Sequence, residues 1–143
     1  MSAGSPGVLH PPLPQCKALL LCDQTIVEAV TGKISIIGVI ERFVLREMPA
    51  RLRQFQAFMQ ITDAVGRYDL VVEIQDLQVD EVIARAPGSG IQVPDQLAKV
   101  NIIIPVPPIL LTHAGAYDFV VFANGHEIER QKFLVIEVPN ATG

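Results

Sequence analysis

Period-two alternation of apolar and polar residues is the feature that most constrains how this chain can fold. In RYDLVVEIQD, residues 67–76, Tyr68, Leu70, Val72 and Ile74 fall on one face and Asp69, Glu73 and Gln75 on the other, the pattern of a strand with one face buried. RQFQAFMQIT, residues 53–62, repeats it, with Phe55, Ala57, Met59 and Ile61 inward and Gln54, Gln56 and Gln60 outward. DAVG at 63–66 links them with a glycine free to take a positive φ, so the two strands are expected to form an antiparallel hairpin. No apolar stripe of helical period extends beyond about two turns.

The rest of the chain reads the same way. KALLLCD, TIVEAV and KISIIGVI are rich in β-branched residues, with Thr31-Gly32 as a tight connection between the last two. Gly38 inside its run suggests a bulge or a close backbone approach. EVIARA is a short strand, APGSG a loop, and LAKVNIII a strand stopped by the prolines that follow. Strands are expected at 17–23, 25–30, 33–40, 54–62, 67–76, 81–86, 98–104, 116–124 and 126–137. Their number and spacing predict an all-β fold, an immunoglobulin-like antiparallel β-sandwich of eight or nine strands with Greek-key links. The sandwich occupies residues 16–139, after an extended Pro-rich arm at 1–15 and before a C-terminal tail at 140–143.

GAYDFVVFANGHEI, residues 115–128, carries the sharpest local signals. Asn124-Gly125 between two apolar runs predicts a two-residue hairpin turn, because both central residues of a type I′ turn need φ above zero. Tyr117, Phe119 and Val121 then face the core and Ile128 lies opposite Val121. Tyr117, just after HAGA, matches a tyrosine corner, in which a buried ring keeps its hydroxyl bonded to nearby backbone. Continuing the register would drive Arg130 and Lys132 inward, which burial forbids without partners. A bulge near Arg130–Lys132 is therefore expected, so that Phe133 and Val135 can bury.

Composition bears on partners and compartment. The 143 residues suit one domain. Half are hydrophobic and only 18% are charged, against a usual share of roughly 25%. Pro105, Pro107 and Pro108 interrupt the one long apolar stretch, 101–111, so no membrane span is expected and a subunit interface is the expected sink for the excess. A net charge of −4 gives no footprint for phosphate backbones, and nucleic acid is not an expected partner. MSAGSPGVLHPPLPQ has neither a basic leader nor an apolar core, so a cytoplasmic location is expected. Cys16 and Cys22 lie six residues apart on one strand, about 20 Å, too far to bridge, and read as buried thiols. The sequon Asn140-Ala141-Thr142 is a chance match without a secretion signal.

ALLLCDQTIVEAVTGKISIIGVIERF at 18–43, LVVEIQD and EVIARA in the middle, and GAYDFVVFANGHEI near the end together resemble an uncharacterised bacterial family, a domain of unknown function with an immunoglobulin-like or C2-like β-sandwich fold. The resemblance covers roughly residues 16–139. It implies a sandwich in a bacterial cytoplasm and assigns no activity and no catalytic residue.

Three stretches invite a chemical reading. Asp76, Asp80 and Glu81 cluster in DLQVDE, where a sandwich loop can hold calcium; the spacing and turn glycine of an EF-hand loop are missing, so a solvated hairpin turn is preferred. Arg42, Arg46, Arg51 and Arg53 crowd one link and suit a small anion, but Glu41 and Glu47 among them favour local ion pairs. His10, His113 and His126 stand in no recognisable triad or metal spacing, and no phosphate-binding glycine motif occurs. The expected function is thus a non-enzymatic structural or interaction protein, self-associating as a homo-oligomer or a subunit of a larger assembly, with no cofactor and no metal. A loop site for calcium or a small anion is the alternative. The expected contact joins Val8, Leu9 and Leu13 of the arm to Ile102, Ile104, Val106, Ile109 and Leu111 of a neighbour, since that segment is apolar on both strand faces. Tyr117, Asn124 and Gly125 are assigned to the structural corner.

Overall fold

The computed structural model describes residues 11–138, and among them there is no helix and there are eleven strands: β1 (Gln15–Val27), β2 (Ile34–Val39), β3 (Arg42–Leu45), β4 (Ala50–Leu52), β5 (Phe55–Thr62), β6 (Gly66–Asp76), β7 (Glu81–Val93), β8 (Val100–Val106), β9 (Ile109–Leu111), β10 (Gly115–Ala123) and β11 (His126–Glu137). They form a four-stranded sheet in the order β2-β1-β5-β8, a five-stranded sheet in the order β3-β11-β10-β6-β7, and a two-stranded pair, β4-β9. All-β character is as expected. The count exceeds eight or nine, and the pairing is not wholly antiparallel, because β3 lies parallel to β11.

One core joins the sheets. Leu19 and Leu21 of β1, with Ala57, Met59 and Ile61 of β5, belong to the same buried cluster as Tyr68, Leu70, Val72 and Ile74 of β6 and Tyr117, Phe119 and Val121 of β10. Phe43, Phe55 and Phe133 fill its centre, with ring centroids 5.3 Å apart for Phe43–Phe55 and 5.7 Å for Phe43–Phe133, spacings at which tilted and edge-on aromatic pairs attract.

The β5–β6 link corrects the hairpin expectation. These strands sit in different sheets. Both have a continuous apolar inner face, and two such faces are best buried by opposing each other across the core. DAVG carries the chain between sheets, with Asp63 and Gly66 at positive φ and Ala64 buried beneath. The Tyr68 hydroxyl fixes this crossing: it donates to the Pro12 carbonyl at 2.7 Å and accepts from the Val65 N–H at 3.1 Å.

Several boundaries also move. The runs expected at 17–23 and 25–30 are one strand, and Val30 lies in the turn between β1 and β2, where Gly32 takes φ +73 and its N–H reaches the Glu28 carbonyl. β7 continues through APGSG beside β6, and Gly88 permits this because a side chain there would meet the Leu70 carbonyl at 2.9 Å. β8 passes through Pro105, opposite Gln56, instead of stopping before it. An edge strand tolerates this because the missing N–H can face away from the sheet.

The bulge lies earlier than expected. Asn124 and Gly125 take φ 50° and 85°, and Ala123 pairs with His126 and Phe122 with Glu127; Val121 then pairs with Glu129, leaving Ile128 as the extra residue. Ile128 is therefore not opposite Val121. From there Arg130 sits opposite Val120, and Phe133 sits opposite Tyr117 in the core.

Candidate functional site

The segment entering β10 gathers the densest set of ionisable contacts on the core side. Tyr117 is buried, and its hydroxyl donates to the His113 carbonyl at 2.6 Å. Its ring stacks on Phe133 at 5.6 Å and on the His113 imidazole at 5.9 Å. His113 Nε2 lies 2.6 Å from Asp76 Oδ2 at the end of β6, and Nδ1 lies 2.8 Å from the Ala114 carbonyl. Both partners are acceptors, so the ring satisfies both contacts only as an imidazolium. The Ala114 carbonyl and then Asp76 accordingly raise the His113 pKa above its usual 6.5, against the opposing effect of burial. Burial, with the Asp76 charge behind it, also raises that of Tyr117.

Asp76 is only 3% exposed, and its other oxygen accepts from the Gln78 backbone N–H at 3.0 Å and from the Gln78 amide at 2.7 Å. The Gln78 side-chain Oε1 accepts in turn from the Ala116 N–H. Gly115, at φ +140, leaves room for that amide, because a side chain there would collide with Gln78 Oε1. Asp76 is thus withdrawn from any oxygen set with Asp80 and Glu81, and no group of three or more metal-ligating side chains occurs among the described residues. In this geometry neither nitrogen of His113 has a lone pair free to take a proton from another molecule.

The other corner residues pin the β10–β11 turn to β6. Asn124 Oδ1 accepts from the Asp69 N–H at 2.9 Å, the Asn124 N–H donates to the Asp69 carbonyl at 3.0 Å, and Nδ2 donates to the Arg67 carbonyl at 3.3 Å. Gly125 completes the turn.

On the outer face of the five-stranded sheet two carboxylates that the sequence reading passed over, Glu73 and Asp118, are each 5% exposed. Arg85 pairs with Glu73, which also accepts from Gln75 at 3.1 Å. Arg130 donates to Asp118 at 2.7 Å and grips Glu127 with two bonds of 2.8 and 2.7 Å, which raises the Arg130 pKa and lowers that of Glu127. Their signal in the sequence is the i, i+3 pair Glu127 and Arg130; the cross-strand partners needed the register. Of the four arginines in the link, Arg53 forms an ion pair, with Asp23 at 2.7 Å, and covers the Phe43 ring at 5.4 Å.

The expected contact residues divide. Val8 and Leu9 lie outside the described residues. Leu13 is exposed and, with Pro11, Pro12 and Pro14, lines a cavity of about 350 Å³ together with Tyr68 and His126. Val106, Ile109 and Leu111 are buried in their own core, so the reasoning that this segment cannot meet one core is corrected for those three: β9 folds back to pair with β4 and turns Ile109 and Leu111 inward. Ile102 and Ile104 are half-buried and border an apolar cleft of about 190 Å³ between β8 and β7. A neighbouring cleft of about 280 Å³ continues it past Pro105, Pro107 and Leu110, with Arg85 among its lining residues.

The chain belongs to a family of unknown function, DUF6941, whose model matches residues 17–136. No curated protein matches it in sequence. Among solved structures, it is similar to a β-glucosidase from Listeria innocua in complex with glucose, at TM-score 0.45 and 11% identity over 86% of this chain and 16% of that one. It is also similar to Pseudomonas fluorescens alkylpurine DNA glycosylase AlkC bound to DNA containing an abasic site analog, at TM-score 0.44 and 10% identity over 82% of this chain and 30% of that one. The expectation that the chain is not an enzyme is corrected here and withdrawn: the two proteins named are a β-glucosidase and a DNA glycosylase. The chain spans less than a third of either protein, and at these scores neither activity transfers to it.

Proposed function

We propose, taking membership of a family with no assigned activity as the premise, that this chain works by protein contact, associating with copies of itself or serving as a subunit of a larger assembly. One observation carries the reading: five of the large apolar side chains left in solvent lie on one projecting hairpin. Ile26, Val27, Val30, Ile37 and Val39 all belong to β1, β2 or the turn between them, and are 44–92% exposed. Ile26, Ile37 and Val39 share one face of this two-stranded ribbon, and apolar patches on a surface mark interaction sites.

The immunoglobulin-like description belongs to the same reading. The order β11-β10-β6-β7 opposite β1-β5-β8, with β3 parallel beside β11, supports it, as does Tyr117 at the start of a central strand with its hydroxyl bonded four residues back. Leu13 and the cleft-lining Ile102 and Ile104 remain the surfaces an exchanged arm would join. A bacterial cytoplasmic setting is supported by two cysteines that are free thiols; no helix among the described residues is long and apolar enough to cross a membrane.

Light scattering on the full chain tests the proposal. The expected mass is a multiple of 15.6 kDa that falls on dilution. A mass of one chain at every concentration overturns self-association.

A further inference from the structure

The turn between β10 and β11 is held to β6 by a side chain that its own sequence makes reactive. Asn124 and Gly125 form a two-residue loop, with Ala123 paired to His126 and φ at 50° and 85°, the signs a type I′ turn requires. Both residues are exposed, and a Cβ at Gly125 would meet nothing within 4 Å. Asn124 is the one asparagine of the chain followed by glycine, since Asn101 precedes Ile102 and Asn140 precedes Ala141. A glycine nitrogen can approach the preceding side-chain amide closely, because no side chain of its own obstructs it.

The folded turn withholds that approach. Closing a cyclic imide needs the Gly125 nitrogen on the same side as Asn124 Cβ, whereas at the ψ of about +30° of a type I′ turn it lies nearly opposite. Three hydrogen bonds hold Asn124 in place: Oδ1 accepts from the Asp69 N–H at 2.9 Å, the Asn124 N–H donates to the Asp69 carbonyl at 3.0 Å, and Nδ2 donates to the Arg67 carbonyl at 3.3 Å. All of these partners are backbone atoms of β6, so the reactive conformation is reached only when the turn lifts off that strand. The β10–β6 ladder has its last pair at Ala123↔Leu70. The turn lies beyond it and can open without the rest of the sheet, as the ends of elements do.

We propose that Asn124 is a self-modification site gated by the opening of this turn. In the open turn the Gly125 nitrogen bonds to Asn124 Cγ, the bond from Cγ to Nδ2 breaks, and Nδ2 leaves as ammonia with the proton of the Gly125 N–H. Water then opens the imide. Cleavage of the new bond to Cγ gives aspartate, and cleavage of the original peptide bond gives isoaspartate; nothing is oxidised or reduced, and water is the only co-reactant. Neither product docks on β6 as asparagine does. Aspartate sets a carboxylate oxygen where Nδ2 donated, acceptor against the Arg67 carbonyl, and isoaspartate inserts an extra carbon into the backbone, which ends the type I′ geometry. Asn124 also lines the cavity beside Pro11, Pro12 and Tyr68, so undocking loosens the wall next to the entry of the chain into β1. The reaction lies within one chain and does not depend on self-association.

Peptide mass spectrometry on the full chain, incubated at mildly alkaline pH with and without urea, tests this. Each hydrogen bond is worth about fivefold, so amide loss at Asn124 is expected on the order of a hundredfold more slowly in the folded chain than in urea. In urea, Gly125→Ala is expected to slow the loss severalfold, which identifies the attacking nitrogen whether or not the variant folds. Asn124→Asp stands in for the aspartate product, and hydrogen exchange at the Asp69 N–H is expected to be about tenfold faster in it than in the parent. Equal rates with and without urea overturn the gating. A rate in urea that Gly125→Ala leaves unchanged overturns the imide route, and parent-like exchange at Asp69 in Asn124→Asp overturns the undocking.

Discussion

The corner around Tyr117 and the ribbon formed by the outer halves of β1 and β2 are built on opposite terms. At the corner the buried polar groups are matched in sequence: Gln78 bonds Asp76, Asp76 bonds His113, and the His113 carbonyl bonds Tyr117. On the ribbon, backbone pairing is complete along one side only and the apolar side chains stand in water. A segment whose polar atoms are all engaged internally has been committed to holding the fold. One that leaves apolar surface and a free edge outside has not, and the contrast separates scaffold from the proposed contact surface.

Removing the hydroxyl is the strongest way to break that contrast. Tyr117→Phe keeps the ring between Phe133 and His113 but strips the His113 carbonyl of its donor, and is expected to cost about 1–3 kcal/mol. Urea denaturation measures this. Unchanged stability, with self-association lost instead, would make the corner the contact surface and reverse the assignment.

A smaller effect is expected from pH. The folded pKa of His113 lies above its usual 6.5, so the bonds made by the imidazolium contribute fully below about 6.5 and are lost as pH rises through the raised folded value. The melting temperature should therefore fall on the alkaline side of 6.5, and the His113→Gln variant should lack that component of the fall. A parent profile that rises over this window contradicts the doubly bonded imidazolium.

The smallest change belongs to the ribbon. Val30 is 92% exposed, so Val30→Ser is expected to leave the stability of a dilute, dissociated chain within about 0.5 kcal/mol of the parent. A larger loss would mean that the turn is supported from within the same chain.

How much of this was legible in the sequence depended on where each strand finds its partner. The inner faces of β5, β6 and β10 were readable because alternation is a property of the strand itself; Tyr68, Leu70, Val72 and Ile74 are buried as a set. β3, β4 and β9 left no such trace, being three or four residues long and paired to segments far along the chain, Phe43 with Val135 and Arg51 with Leu110. The hairpin expected between β5 and β6 failed because a short link with a glycine is equally good at crossing between sheets. At the corner, Tyr117 carried a recognisable pattern, but Asp76 lies 37 residues before His113, and nothing local announces that they meet. Val30 read as a strand residue because β-branched residues favour strands; the turn hydrogen bonds at Glu28 and Gly32 override that preference.

The Tyr68 hydroxyl has a mechanical consequence. The residues leading into β1 enter the four-stranded sheet, yet Pro12 is tied by its carbonyl to Tyr68 in the five-stranded sheet. Tension applied ahead of Pro11 is therefore shared between the two layers: one branch loads β1 between its neighbours, and the other loads β6 through the phenol. The Tyr68–Pro12 bond lies ahead of Gln15, the first paired residue of β1, so it must part before that strand can be peeled away.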